Sequence, residues 1–219
     1  MRVTLVANGE FPTHPLPLNS LRRADKIVCC DAAIVTLLDT GFQPAENQTI
    51  DVVGDCDSLP QNLRAALPYP LHPESEQDDN DLTKAFRWTL ANTSEPLCID
   101  IVGATGLRED HTMGNLSLLM RYHLQLDEKR PGSQIQMLTN HGTFTAVNGS
   151  ATFTSFARQQ VSIFSLSPDV PVSATGLQYS LENRCLTEWW EATLNSALGN
   201  TFSLQGGKLL VFQTYEAKE

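Results

Sequence analysis

The chain has 219 residues, a formal net charge of -10, and 41% hydrophobic against 18% charged residues, which is the composition of an ordinary globular protein with room for one large domain or two small ones. The negative charge argues against a nucleic-acid backbone as partner, because phosphates need lysine and arginine to neutralise them; a nucleotide accompanied by a divalent cation stays open. No window approaches the roughly 18 uninterrupted apolar residues of a membrane helix, and the opening MRVTLVANGE is interrupted too early for a signal peptide.

The first half alternates short apolar runs with helical patterns. RVTLVA, KIVCCD, IDVVGD and LCIDIVGA read as buried strands, each ending in a polar or glycine-rich turn. Between them AAIVTLLDTGF, PQNLRAAL, NDLTKAFRWTLAN and DHTMGNLSLLMRYHLQL carry helical spacing and boundary signals, and SQIQMLTN closes the half. Strands alternating with helices predict crossover units: an α/β domain over residues 1–140, with a mostly parallel sheet and flanking helices. From His141 the pattern changes to apolar–polar alternation around Asn-Gly and Gly-Gly turns, predicting a smaller antiparallel β-sandwich over residues 141–219. Trp189 and Trp190 are adjacent, so on a strand at most one packs inward. The five cysteines, Cys29, Cys30, Cys56, Cys98 and Cys185, are odd in number and lack zinc spacing, so they read as reduced thiols in the cytoplasm.

Loops after parallel strands converge on a ligand crevice. Asp31, the pair Asp55 and Asp57, and Asp110 all follow such strands, while Asp78 and Asp81 open a helix with i,i+3 spacing. So many carboxylates in one place repel unless a cation sits among them, and oxygen-only ligands with retained water describe Mg²⁺ held for phosphate chemistry. Each aspartate has an equally simple use as a helix cap: Asp57 for the helix after Pro60, Asp78 or Asp79 for the one at Leu82. The stretch IVGATGLREDHTMGN runs from strand through Gly103, Thr105, Gly106 and Arg108 into a helix, the layout for an anion held by backbone N–H groups and a guanidinium. It is not a Walker loop, since no GK[ST] follows. His111 is either a base or a local helix-end residue, with Asn115 on the same face; Lys84 either reaches a phosphate or pairs with Asp81.

Taken together, ANGE at 7–10, CDAA at 30–33, GDCDS at 54–58, DDNDLTKA at 78–85, GATGLREDHTMGN at 103–115, ATGLQYSL at 174–181 and LNSALGNTFSL at 194–204 resemble the thiamine pyrophosphokinase family in order and spacing. The resemblance implies transfer of pyrophosphate from ATP to the hydroxyl of thiamine, with Mg²⁺ and release of AMP. It implies that Asp55, Asp57, Asp78 and Asp81 are the catalytic and metal-binding carboxylates. It implies that Asn8, Asp31, Lys84, Gly103, Thr105, Gly106, Arg108, Asp110, His111 and Asn115 attend the nucleotide, and that Tyr179 and Asn195 bind thiamine. A homodimer with shared active sites is also implied. The chain departs from the family pattern at Cys56 (family Phe), Ala32-Ala33 (Gly-Gly), Asn80 (Thr), Leu107 (Gly) and Leu194 (Ser). A diphosphokinase for another small alcohol, such as a hydroxymethylpterin, and a non-catalytic thiamine- or nucleotide-binding module are the alternatives.

Overall fold

The structure is a computed structural model and describes residues 1–55, 57–94 and 96–217. The chain forms two compact units: Met1–Leu118 with Gln125–Asn140, and a second comprising Leu119–Leu124 and the chain from His141 onward.

In the first unit β1 (Arg2–Val6), β2 (Lys26–Cys30), β3 (Thr49–Gly54), β4 (Leu71–Pro73), β5 (Cys98–Val102) and β6 (Gln134–Leu138) pair in the order β6-β5-β1-β2-β3-β4. Every pairing among them is parallel. Sequence order runs one way from β1 to β4 and the other way through β5 and β6, so the topological switch lies between β1 and β5, where open α/β sheets bind ligands. The strands are mostly apolar, as in a parallel sheet covered on both faces; Leu5, Val6, Ile27, Cys29, Val52 and Val102 are all fully buried.

The helices are α1 (Pro15–Arg23), α2 (Ala33–Asp39), α3 (Gln61–Ala66), α4 (Asp81–Ala91) and α5 (Glu109–Lys129). Sequence periodicity does not announce α1, whose two prolines suggest a loop. Both lie in its first turn, where no intrahelical N–H is required, and His14 caps it by accepting a hydrogen bond from the Leu16 N–H at 3.2 Å. Helix α4 is fixed over the sheet by a polar cluster beneath its middle. Asp51 receives Lys26 Nζ at 2.5 Å on one oxygen and faces His72 Nε2 at 2.8 Å with the other; the His72 ring lies 4.4 Å from that of Trp88 on α4.

One strand carboxylate lies away from the cavity. Asp100 on β5 stands opposite Gln136 on β6 and accepts its amide N–H at 2.8 Å, yet burial pushes its pKa up. The folded protein therefore binds this proton more tightly than the unfolded chain. Ionised Asp100 costs stability above its folded pKa, and the cost disappears below the ordinary carboxylate range. Asp100→Asn keeps the acceptor for Gln136 and is expected to stabilise the protein on the order of 0.5–1 kcal/mol at pH 7. In urea denaturation the gap should close toward about pH 3; an equal gap at both pH values would contradict this account.

The second unit is antiparallel. β7 (Gly142–Thr154) and β12 (Thr201–Ala217) pair along most of their lengths, with β8 (Gln159–Ser165), β9 (Val172–Thr175), β10 (Leu181–Arg184) and β11 (Ala192–Ser196) alongside. On its other edge β12 pairs with β9 through Ser203–Gln205 and with β8 from Leu209 onward. Asn148-Gly149 and Gly206-Gly207 are therefore not the turns their composition suggests. They face one another in mid-ladder, where the register shifts between Gln205 and Lys208, and this bulge is where β12 changes partner. Val161, Ile163, Val172, Leu204, Leu209 and Val211 form the buried core of this unit.

Candidate active site

The loops leaving β1, β2, β3 and β5 meet with the N-terminus of α4 around a cavity of about 450 Å³. Two of these loops are locked together by backbone contacts. Gly9 N–H donates to the Gly103 carbonyl at 2.6 Å, and Glu10 N–H donates to that of Thr105 at 2.9 Å. Gly103 has φ +66°, and a Cβ there would stand 2.5 Å from the Ala7 carbonyl oxygen, so only glycine permits this approach. Leu107 also has a left-handed backbone, φ +59°, and its side chain is 74% exposed at the cavity edge. The loop imposes this conformation on a leucine, which is a local strain of roughly 1 kcal/mol.

The opposite wall is acidic. Asp31 follows β2 with φ +44° and is only 4% exposed; its Oδ2 accepts from Ser58 N–H at 3.3 Å, while Oδ1 is buried without a hydrogen-bond partner among the described residues. Gly54 permits this packing, since a Cβ there would lie 2.9 Å from that of Asp31. Asp55 Oδ1 accepts from the Asp57 N–H at 3.0 Å, and this backbone hydrogen bond is the main reason its pKa is lowered. Between the carboxylates sits Lys84, 2% exposed, with Nζ 3.3 Å from Asp81 Oδ1 and 3.8 Å from Asp55 Oδ2. Asp81 has its pKa raised, first by burial and then by Asp55 and Asp31, against the lowering pull of Lys84. Two carboxylates thus share one buried cation, with Asp31 close enough to add its charge to theirs.

The structure does not bring all four sequence-chosen carboxylates together. Asp55 and Asp81 line the cavity; Asp57 and Asp78 are exposed and do not. Among the described residues no three His, Cys, Asp or Glu side chains are arranged to hold a metal ion unaided. Asp57 uses its N–H to close a turn on Asp55, and Asp78 and Asp79 donate theirs to Glu76 Oε1. Asp79 does line the cavity, and its carboxylate lies 2.7 Å from Arg87 Nη1, whose Nη2 lies 3.0 Å from Glu76. Sequence reasoning missed this clamp of Glu76 and Arg87 on the acidic loop. Its only trace is Arg87 one turn beyond Lys84 on α4.

Of the remaining nucleotide-side residues, Asn8, Gly106, Arg108, His111 and Asn115 line the cavity; Thr105 and Asp110 do not. Arg108 is folded onto Asp110 at 2.5 Å, a hydrogen-bonded pair that raises the Arg108 pKa and lowers that of Asp110. Asn115 is buried, donating from Nδ2 to the Ala104 carbonyl at 2.8 Å.

In the second unit Tyr179 lies on an irregular stretch after β9, not on a strand, and is 64% exposed. Asn195 on β11 is 3% exposed and uses its amide to hold that stretch: Oδ1 accepts from Tyr179 N–H at 3.0 Å and Nδ2 donates to its carbonyl at 2.7 Å. Its oxygen also accepts from Ser196 N–H at 2.8 Å. Asn195→Ala is therefore expected to cost about 1–3 kcal/mol of stability in urea denaturation. A loss confined to thiamine affinity would instead assign this amide to the ligand. Trp189 and Trp190 lie in a turn; Trp189 meets the Phe164 ring edge-on at 5.8 Å and Trp190 is exposed.

A switch-point crevice that joins a glycine-rich anion loop to carboxylates around a buried lysine defines a nucleotide-handling transferase. The thiamin pyrophosphokinase catalytic-domain model matches residues 18–129, and the model of that enzyme's substrate-binding domain matches residues 142–212. The chain belongs to the thiamin pyrophosphokinase family. Thiamine pyrophosphokinase of Bacillus subtilis is 29% identical over 197 residues, 84% of this chain and 85% of that protein. The crystal structure of thiamin pyrophosphokinase from Geobacillus thermodenitrificans is 27% identical with a TM-score of 0.74, covering 99% of this chain and 98% of that one. Thiamin pyrophosphokinase from Candida albicans shares the fold at a TM-score of 0.80, with 16% identity over 98% of this chain and 89% of that one. The activity that goes with the family is that of a thiamine diphosphokinase.

Proposed function

We propose that the cavity binds the polyphosphate of ATP and that the protein transfers its terminal pyrophosphate to the hydroxyl of thiamine, releasing AMP. The observation that carries this reading is Lys84, buried between Asp55 and Asp81 and facing the Gly103–Gly106 loop across one cavity.

The site suits Mg²⁺. Asp31, Asp55 and Asp81 outnumber Lys84 three to one, and the Asp31 Oδ1 is buried without a partner among the described residues. Asp55 and Asp81 would hold the ion together with phosphate oxygens and water, the usual Mg²⁺ arrangement of few carboxylates and retained waters. When bound, the ion neutralises charge on the phosphate oxygens. The protein does the rest by positioning. The glycine loop offers backbone N–H groups to the phosphates, Arg108 swings from Asp110 to fork two oxygens, and Lys84 steadies the bridging region. Asp81, at the N-terminus of α4, orients the acceptor hydroxyl; exposed Asp57 and Asp78 serve at the rim. Asn8, Thr105 and His111 complete the nucleotide side.

Thiamine is cationic, and Tyr179 offers it an exposed aromatic face. Tyr179, Trp190, Leu194 and Leu198 all present large apolar groups to solvent, which supports a homodimer in which the antiparallel unit of one subunit completes its partner's site. The free, buried thiols of Cys29 and Cys30 suit a reducing compartment such as the cytoplasm. The test is product analysis: purified protein with Mg-ATP and thiamine should form AMP and thiamine pyrophosphate in equal amounts. ADP as product, turnover only with another alcohol, or binding with no turnover would each overturn the reading.

A further inference from the structure

Three segments carry the chemistry of the cavity: the start of α4 with Asp81 and Lys84, the Gly103–Gly106 loop, and the first turns of α5 with His111. One chain of side-chain amides joins all three. Asn80 caps α4, its Oδ1 accepting from Thr83 N–H at 2.9 Å and from Thr83 Oγ1 at 2.8 Å. Its Nδ2 donates to Asn115 Oδ1 at 3.1 Å, across 35 positions of sequence. Asn115 Nδ2 in turn donates to the carbonyl of Ala104, in the middle of the glycine loop, at 2.8 Å. Asn80 thus has one end on its own helix and the other on α5, and Asn115 has one end on each of the two neighbouring segments.

We propose that the Asn80–Asn115 pair is a positioning brace that sets the distance between the phosphate-binding glycine loop and the carboxylate–lysine wall. The proposal rests on the pyrophosphoryl-transfer reading of the site. The Asn80–Asn115 hydrogen bond is half-buried and the Asn115–Ala104 one is buried; such linked, directional bonds fix a register that apolar packing alone leaves loose. Phosphoryl transfer is sensitive to such a register, because its catalysis consists of placing charges against oxygens. Neither asparagine needs to touch the reacting atoms for this role. A helix-capping residue alone has no use for the donating end of Asn80, and α5 alone has no use for the accepting end of Asn115.

Glycine caps a helix nearly as well as asparagine, so Asn80→Gly removes the brace with little loss of the cap. With saturating thiamine, kcat is expected to fall about tenfold while the melting temperature changes little. Asn115→Ala should cause a similar or larger loss, and Asn80→Gly should have no additional effect in the Asn115→Ala background. Additive losses, or wild-type kcat in Asn80→Gly, would overturn the proposal. A second readout is independent of turnover and of the second variant's folding. The Gly9 and Glu10 amides, which donate to the Gly103 and Thr105 carbonyls, should exchange with solvent about tenfold faster in Asn80→Gly than in wild type. Unchanged exchange at these amides would also overturn it. Loss of turnover by the wild type itself would overturn the reaction assigned to the site and leave the brace to be decided by exchange.

Discussion

Replacing Lys84 with methionine is expected to lower turnover by about a hundredfold or more and to destabilise the protein at neutral pH. Methionine keeps much of the apolar stem's volume, so the effect isolates the ammonium. That ammonium is buried, 3.3 Å from Asp81 and 3.8 Å from Asp55, with the uncompensated oxygen of Asp31 in the same cavity. Without it, three carboxylates face each other. Removing one member of a fully buried pair costs several kcal/mol, but the carboxylates in contact with Lys84, Asp55 and Asp81, are partly solvated, so a loss of about 1–3 kcal/mol is expected without Mg²⁺ or nucleotide. The loss has a defined pH dependence. Asp81 already has its pKa raised, and removing Lys84 raises it further, so the variant's deficit persists at pH 7 and shrinks as acid protonates the carboxylates. The loss of turnover follows from electrostatics, since a preorganised charge facing the transferring group is worth about a hundred- to a thousandfold in rate. Methionine at this position with wild-type turnover would show that Lys84 only neutralises its neighbours.

Asp55→Asn is the second large effect, and it separates the turn from the chemistry. The asparagine Oδ1 still accepts from the Asp57 N–H, so the turn after β3 should survive. The negative charge facing Lys84 and the cation site is lost, and turnover should fall about a hundredfold or more. Stability should change modestly. The folded protein holds the Asp55 pKa below its ordinary value, chiefly through the Asp57 backbone hydrogen bond. Its contribution is therefore complete above the ordinary carboxylate range and disappears as pH falls through the folded pKa, where variant and wild type should converge. Normal turnover in Asp55→Asn would reduce this carboxylate to a turn-former.

Much of the fold was legible because its signals are local. Buried parallel strands leave apolar runs such as KIVCC and DVVG, and the acids that follow them fall at the sheet's C-terminal edge by topology alone. Helix α1 was not legible because its prolines read as a break until their place in the first turn is known. Asn148-Gly149 and Gly206-Gly207 have turn composition, and only their mutual pairing reveals a bulge. In the site, sequence spacing suggests both Asp55 with Asp57 and Asp78 with Asp81, but it does not say which member turns inward. Lys84 three residues after Asp81 fits a solvated pair as well as a buried one; only the fold brings Asp55, from the end of β3, to its other side. The roles of Asn80, Asn115 and Asn195 depend on partners distant in sequence, and no spacing rule brings such pairs to notice.

Asp55, Asp81 and Lys84 have one purpose in this account: to steer the two outer phosphates of ATP together onto an alcohol. ATP labelled separately at the α- and γ-phosphorus, incubated with Mg²⁺, thiamine and the protein, tests this in a single measurement. The α label should appear only in AMP and the γ label only in thiamine pyrophosphate. The α label in ADP, or the γ label in free phosphate or thiamine monophosphate, would contradict the account.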